Sequence, residues 1–386
     1  MAHRVPDVSA IRAFLDASHV ALAEQVAAYA RDTIEPLPAP ENDAAARVSA
    51  RELLVELGAA GWFAPIERRD YRACGLVREA LAAASPLADA VFALQALGTT
   101  PILLSDNDAV KREWVLRAVR GEAMAAFAMT EPDAGSDVAS MRTTATRDGD
   151  AYVLEGTKTF ISNAGLSDFY TVFASTDPSR GSRGISCFVV PAEHVEFVRP
   201  LVMSEPHPLG EIRFAGCRVP AANRLGGEGE GMKLGLRTLD RLRATVGAAA
   251  CGMAARALDE SVRHAVKRRQ FGKPLAEHQL VQEKIARMTM NLRASRLLVY
   301  QALWEADGGK ERVSEEAAIA KAFATESAQR IVDDAVQILG ARGVLADHPV
   351  DRLYRAVRSL RIYEGTTEIQ HLIIAGHVIA AAASAP

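Results

Sequence analysis

The stretch Ala151–Ser162, AYVLEGTKTFIS, decides how the chain divides. Either side of Gly156 it carries two short runs, Ala151–Leu154 and Thr159–Ser162, rich in β-branched and aromatic residues. Phe169–Ala174, Ile185–Val190 and Val195–Val198 continue the pattern. Gly149–Asp150, Asp177–Pro178, Gly181 and Pro200 punctuate it. Short runs of this kind between turn residues read as strands. No helical period separates them, so an antiparallel barrel or sandwich is expected over residues 124–225.

Outward from this stretch the period becomes helical. Upstream, Ile11, Phe14, Leu15, Val20, Leu22, Val26 and Tyr29 predict one amphipathic helix before Pro36. Residues 49–59, 76–98 and 106–119 predict more, separated by Gly61, Pro65, Pro86 and Pro101. Downstream, helices are expected at about 229–268, 275–306, 313–340 and 350–381, the last interrupted near Tyr363–Gly365. Four long helices with short connections predict an antiparallel bundle. The chain is thus an α+β multidomain protein: a helical domain over 1–123, a β domain over 124–225 and a helical bundle over 226–386.

Composition narrows the classes. At 386 residues, 49% apolar and 24% charged, the chain is globular rather than disordered. A net charge of −3 gives no support for nucleic-acid binding. Cys74, Cys187, Cys217 and Cys251 are too few and too scattered for a disulfide scaffold or a zinc pair. Neither these nor the His spacing suggests a metal site. No run of about 18 apolar residues predicts a membrane span. The N-terminus lacks a signal-peptide core. The expectation is a cytoplasmic protein without a membrane partner. Gly226, Gly227, Gly229 and Gly231 miss the GxGxxG spacing, because Met232 falls where the third glycine belongs.

Several segments could carry chemistry. Phe127–Asp137, FAMTEPDAGSD, sets a turn with the hydroxyls of Thr130 and Ser136 between an apolar and a charged run. An ordinary turn would look the same. In Gly156–Gly165, GTKTFISNAG, strand alternation puts Phe160 and Ser162 on one face. That pairing suits a flat polar heterocycle, although a core phenylalanine has the same pattern. Arg268–Pro274, RRQFGKP, is followed by Glu277-His278-Gln279. It breaks one helix at Gly272–Pro274. Its arginines could bind a diphosphate or merely complement a helix end. Gln337–Gly343, QILGARG, could be a plain helix cap or face a partner. Ile362–Gln370, IYEGTTEIQ, interrupts a helical pattern and places Glu364 beside Gly365. A carboxylate on such a break can face a cavity, where desolvation strengthens it as a base.

Taken in order, these motifs resemble the acyl-CoA dehydrogenase family over about Ala125–Ala375. The resemblance implies a helical domain, a β-barrel and a four-helix bundle, FAD between the last two, and a homotetramer. It implies that Phe127, Met129 and Thr130 meet the flavin, and that Phe160 and Ser162 flank its ring. Arg268, Gln270, Phe271, His278 and Gln279 would reach the FAD diphosphate and adenosine, partly from a neighbouring subunit. Gln337, Gly340 and Ala341 would do likewise, while Thr366 and Glu368 would close the site. Ser136, Asp240, Arg243 and Gly365 would lie on the acyl-CoA side. Asp240 and Arg243 could equally form an intrahelical pair.

The implied reaction is α,β-dehydrogenation in fatty acid metabolism. A base takes the α-proton of an acyl thioester, a β-hydride passes to flavin N5, and electrons leave through an electron-transfer flavoprotein. The family's usual base position is Glu364; the alternative one on an earlier helix is Leu242, which leaves Glu364. An acyl-CoA oxidase, an enzyme for carrier-protein-bound acyl groups, and a silent flavin-binding subunit are the alternatives. The chain departs from the family pattern in the shortened segment SEPHPLGEIRFAGCRV that ends at Val219. It also has Phe160 where Trp is common and His371 where Arg is frequent.

Overall fold

The computed structural model describes residues 5–383. They form two compact units: residues up to Pro38, Asp70–Asp89 and Asp240 onward in one, Ala39–Arg69 and Ala90–Leu239 in the other.

The N-terminal helices are α1 (Ala17–Tyr29, continued by a π turn at Ala30–Ile34), α2 (Asp43–Ala59), α3 (Ala64–Arg68), α4 (Tyr71–Ala84), α5 (Pro86–Leu104) and α6 (Asp108–Val119). Their starts follow from capping chemistry. Asn42, Asp70 and Asn107 each accept a backbone N–H three residues on. The single helix expected over 11–29 is split. Ser9–Phe14 is a 3-10 turn, and Asp16 opens α1 through a reciprocal capping box with His19. His19, Asp70 and Asp307 offer clustered ligand atoms. They are engaged in structure instead: His19 bonds Asp70 at 3.0 Å, and Asp307 accepts from the backbone N–H of Tyr71 and from Arg72 Nε.

Pro101 does not separate helices as expected; it sits inside α5. An interior proline costs about 3 kcal/mol. Near-complete burial of α5 offsets this, and Gln95 ties the helix to Ala118, Ala123 and Ala125. Among the described residues α5 is the one helix long and apolar enough to cross a membrane, but it is mostly buried in protein. It packs so closely that a Cβ at Gly98 would lie 2.7 Å from that of Ala125.

The β segment contains β1 (Ala125–Ala128), β2 (Thr144–Asp148), β3 (Ala151–Ser162), β4 (Phe169–Ser175), β5 (Ile185–Pro191), β6 (Glu196–Pro200), β7 (Leu209–Pro220) and β8 (Arg224–Leu225). The two runs of the opening stretch are one strand, β3. The expected antiparallel barrel is not found. The sheet is open, in the order β6-β7-β3-β2-β4-β5-β8, with β1 and β2 both parallel to β4. Both faces are covered, which explains why β4 is buried at every residue and reads as a continuous apolar run. Phe169, Phe173 and Val189 pack with Ile102 and Trp114 on one side. Tyr152, Phe188 and Phe214 fill the other.

The C-terminal helices are α7 (Gly231–Lys267), α8 (Gln279–Asp307), α9 (Ser314–Leu339), α10 (Pro349–Leu360) and α11 (Thr367–Ala383). A hairpin, β9 (Arg269–Gln270) with β10 (Lys273–Pro274), joins α7 to α8. α7 therefore ends before the hairpin, not within it at Gly272–Pro274. Phe271 and Gly272 both have positive φ, the geometry of a two-residue hairpin turn.

Candidate active site

Glu364 lies in the six-residue break between α10 and α11. Its φ is +53° and that of Gly365 is +90°, so two consecutive residues are left-handed. For a glutamate this costs about 1 kcal/mol or more, and the surroundings hold it there. Lys321 Nζ on α9 donates to the Gly365 carbonyl at 2.6 Å. Gln370 Nε2 donates to the same oxygen at 2.9 Å, and Arg243 Nε on α7 to the Glu364 carbonyl at 3.2 Å. Glu364 Oε2 is sealed from solvent and has no hydrogen-bond partner among the described residues.

Burial raises the Glu364 pKa above the ordinary carboxylate value, against the pull of Arg78, Arg243 and Lys321. The same burial pushes Lys321 down to about 8, opposed by Glu364. A carboxylate desolvated in this way is a stronger base once ionised than one in water. Leu242, the alternative base position, is a buried core residue. Asp240 and Arg243 do form an intrahelical pair at 3.2 Å, and Asp240 also accepts from Ser314 Oγ. Arg243 is thereby committed to supporting the Glu364 loop. Thr366 Oγ1 accepts from Ile369 N, and the exposed Glu368 carboxyl is held low by its own backbone N–H and Thr366.

In the other unit, the turn after β1 is fixed by a buried ion pair that sequence reasoning missed. Lys158 Nζ on β3 donates to Glu131 Oε1 at 2.8 Å and to the Met129 carbonyl at 3.0 Å. Glu131 also accepts the N–H groups of Arg142 and Thr143. Met129 is buried and Phe127 packs on Phe173, while Thr130 is half-buried and Ser136 exposed. A bulge between Lys158 and Ile161 interrupts strand alternation, so simple parity does not place Phe160. It has φ +54° and is 64% exposed, an unusual state for a phenylalanine. Ser162 Oγ lies 2.7 Å from His207 Nε2. Burial, reinforced by the Arg47 charge, pushes His207 down to about 4, so its ring is neutral at pH 7.

The remaining sequence candidates are at the surface. Arg268, Gln270 and Phe271 are exposed, Phe271 by 94%. His278 closes the hairpin: its Nε2 is 3.3 Å from the Gln270 carbonyl and its ring meets Phe271 edge-on. Gln279 begins α8, and Gln337, Gly340 and Ala341 are exposed at the end of α9. The structure does bring these two motif regions together: burial and the charges of Arg342, Arg268 and His348 all depress the pKa of His264. That cluster is a cationic surface suited to phosphate oxygens.

Comparison with known proteins places this geometry. Family models match in order: the acyl-CoA dehydrogenase N-terminal domain over residues 16–122, the middle domain over 126–217 and the C-terminal domain over 229–379. The chain is 37% identical over 378 residues to a 3-(aryl)acrylate reductase of Clostridium sporogenes, covering 95% of this chain and 100% of that protein. The structure of butyryl-CoA dehydrogenase from Megasphaera elsdenii superposes with a TM-score of 0.89 at 32% identity, covering 95% of this chain and 99% of the other. A prolyl acyl carrier protein oxidase, AnaB, superposes with a TM-score of 0.86 at 27% identity, covering 94% and 99%.

The class is therefore a flavoprotein oxidoreductase acting on acyl-CoA, with FAD as its cofactor. The chain belongs to the acyl-CoA dehydrogenase family. Its residues fit that cofactor. In one unit Phe160 presents an exposed ring on a strained bulge and Ser162 a hydroxyl two residues on; in the other, Arg268 and Arg342 offer cations suited to a diphosphate.

Proposed function

We propose that this chain catalyses α,β-dehydrogenation of an acyl-CoA thioester, with Glu364 removing the α-proton. The observation that carries the reading is the Glu364 carboxylate itself: desolvated, unpartnered at Oε2, and presented on a left-handed loop braced by Lys321, Gln370 and Arg243. An ordinary structural glutamate would be paired or solvated. The proton goes to the Glu364 carboxylate, which must be ionised to receive it. FAD, when bound, supplies the hydride acceptor for the β-carbon. Phe160, Ser162 and Thr130 would border the ring of one FAD, and Arg268 with the Gln337–Ala341 turn would hold a diphosphate end, partly that of a neighbouring subunit's FAD. The electrons then pass to an electron-transfer flavoprotein. A cytoplasmic homotetramer working in fatty acid metabolism completes the reading.

Anaerobic mixing of the purified protein with a panel of acyl-CoAs, followed by flavin absorbance, tests it. Bleaching by one ester class supports the reading and names the substrate; a yellow protein bleached by none refutes the free acyl-CoA substrate. A second reading is favoured by the likeness to AnaB, an oxidase of a carrier-bound prolyl group by its printed name. Stoichiometric peroxide with O₂, or turnover confined to carrier-bound esters, would select it.

A further inference from the structure

Two opposite charges are sealed in the first unit as a buried pair. Arg78 on α4 and Asp89 on α5 are each 2% exposed. Arg78 Nε and Nη2 donate to the two Asp89 oxygens at 2.8 and 3.0 Å. Arg78 Nη1 donates to Thr245 Oγ1 on α7 at 2.9 Å, and Thr245 donates on to the Leu242 carbonyl. The guanidinium is thus clamped from two sides. Stability does not explain such a pair, because apolar residues of similar volume commonly do as well or better.

Its position does. Thr245 is two residues from Arg243, which holds the Glu364 carbonyl. The Arg78 charge also acts on the hydroxyl of Tyr363, the neighbour of Glu364. Of the charges acting on the Glu364 carboxyl, Arg78 is the largest, while Asp89 opposes it more weakly. Arg243 and Lys321 grip loop carbonyls, whereas Arg78 donates to Asp89 and Thr245.

We propose that Arg78, clamped by Asp89 and Thr245, is a positioning residue for the base: it presents a buried positive charge to the Tyr363 hydroxyl and the Glu364 carboxylate. This deepens the reading of Glu364 as base and rests on it. The charges facing Glu364 are Arg78 from α4, Asp89 from α5, Arg243 with its partner Asp240 from α7, and Lys321 from α9, with Tyr363 beside it in the loop. Glu326 of α9 and Glu368 of α11 act on Lys321. Only the α4–α5 pair can be exchanged for apolar side chains without releasing the loop's backbone.

The test is the ionisation midpoint of Glu364 in the FAD-loaded protein, read by pH-difference infrared spectroscopy with Glu364→Gln assigning the band. The pH profile of flavin bleaching is read in parallel. The double variant R78M/D89L removes the cation that acts more strongly on Glu364 and the anion that opposes it more weakly, so the midpoint moves up, by about one pH unit. Below the midpoint, bleaching slows about tenfold. Asp89→Asn leaves the cation uncompensated, so the midpoint moves down. Arg78→Lys keeps the charge and stays near wild type. A purely structural pair predicts altered melting with no midpoint shift in any of them, which overturns the proposal. So do shifts of the same sign in R78M/D89L and Asp89→Asn. If Asp89→Asn fails to fold, R78M/D89L decides. The infrared midpoint reports the carboxyl whether or not it is the base; full bleaching by Glu364→Gln would instead sink the underlying assignment.

Discussion

Replacing Lys158 by Met probes how the turn after β1 is held. The ammonium is fully buried and donates to Glu131 and to the Met129 carbonyl. Burial pushes Lys158 down to about 8, so at pH 7 it is still charged and paired. Burial opposes ionisation of Glu131 as well, yet Lys158 and the Arg142 N–H hold its carboxyl below the ordinary value. Removing one member of a buried pair costs about 3–5 kcal/mol. Two N–H donors, from Arg142 and Thr143, remain on Glu131 and favour the low end, about 3 kcal/mol. For a unit of this size that is a fall in Tm of about 6–12 °C. The assay is thermal melting at pH 7 with saturating FAD. Adding Glu131→Gln removes the stranded charge and keeps one acceptor oxygen, so the double variant recovers much of the loss. A Lys158→Met protein melting within about 1 °C of wild type, or a double variant no better than the single, would refute the reasoning.

Two other outcomes follow from the same geometry. His207 is held neutral, its folded pKa pushed below the unfolded value to about 4. The unfolded chain binds the extra proton, so stability is lost as pH falls from about 6.5 towards 4. His207→Gln flattens that loss in pH-dependent melting; an unchanged acid limb contradicts the assignment. Arg268→Glu reverses one charge in the cluster with His264, Arg342 and His348. It weakens FAD binding at least tenfold, about 1.4 kcal/mol, with little change in the melting of the apoprotein because Arg268 is exposed. Fluorescence titration with FAD checks it, and wild-type affinity would remove the cluster from the cofactor site.

Local signals explain what the sequence made legible. β4 and β5 are apolar at nearly every position because both sheet faces are covered, and their runs stand out. β1, AAFA, is too short and alanine-rich to signal a strand, and its pairing with β4 is made across the chain. β7 went unread because its residues alternate between buried and exposed across Gly210 and Gly216. Closure of the sheet is not local at all, which is why a barrel was expected where an open sheet stands. Pro101 misled because packing outweighed a local rule.

The site divides in the same way. Glu364 was legible because Gly365 breaks a helical stripe that resumes at Ile369. Lys321, Arg78 and Lys158 were not, since lysine and arginine in a sequence read as surface. Their partners Gly365, Asp89 and Glu131 lie 44, 11 and 27 residues away. His207 was visible only as part of a shortened segment; its contact with Ser162 spans 45 residues.

The most direct test of the central claim is anaerobic titration of wild type and Glu364→Gln, side by side, with the acyl-CoA that bleaches the wild type. The account predicts that the variant purifies yellow, with full FAD, and that its flavin absorbance stays unbleached while wild type is reduced. A variant that bleaches at nearly the wild-type rate would show that another group takes the α-proton.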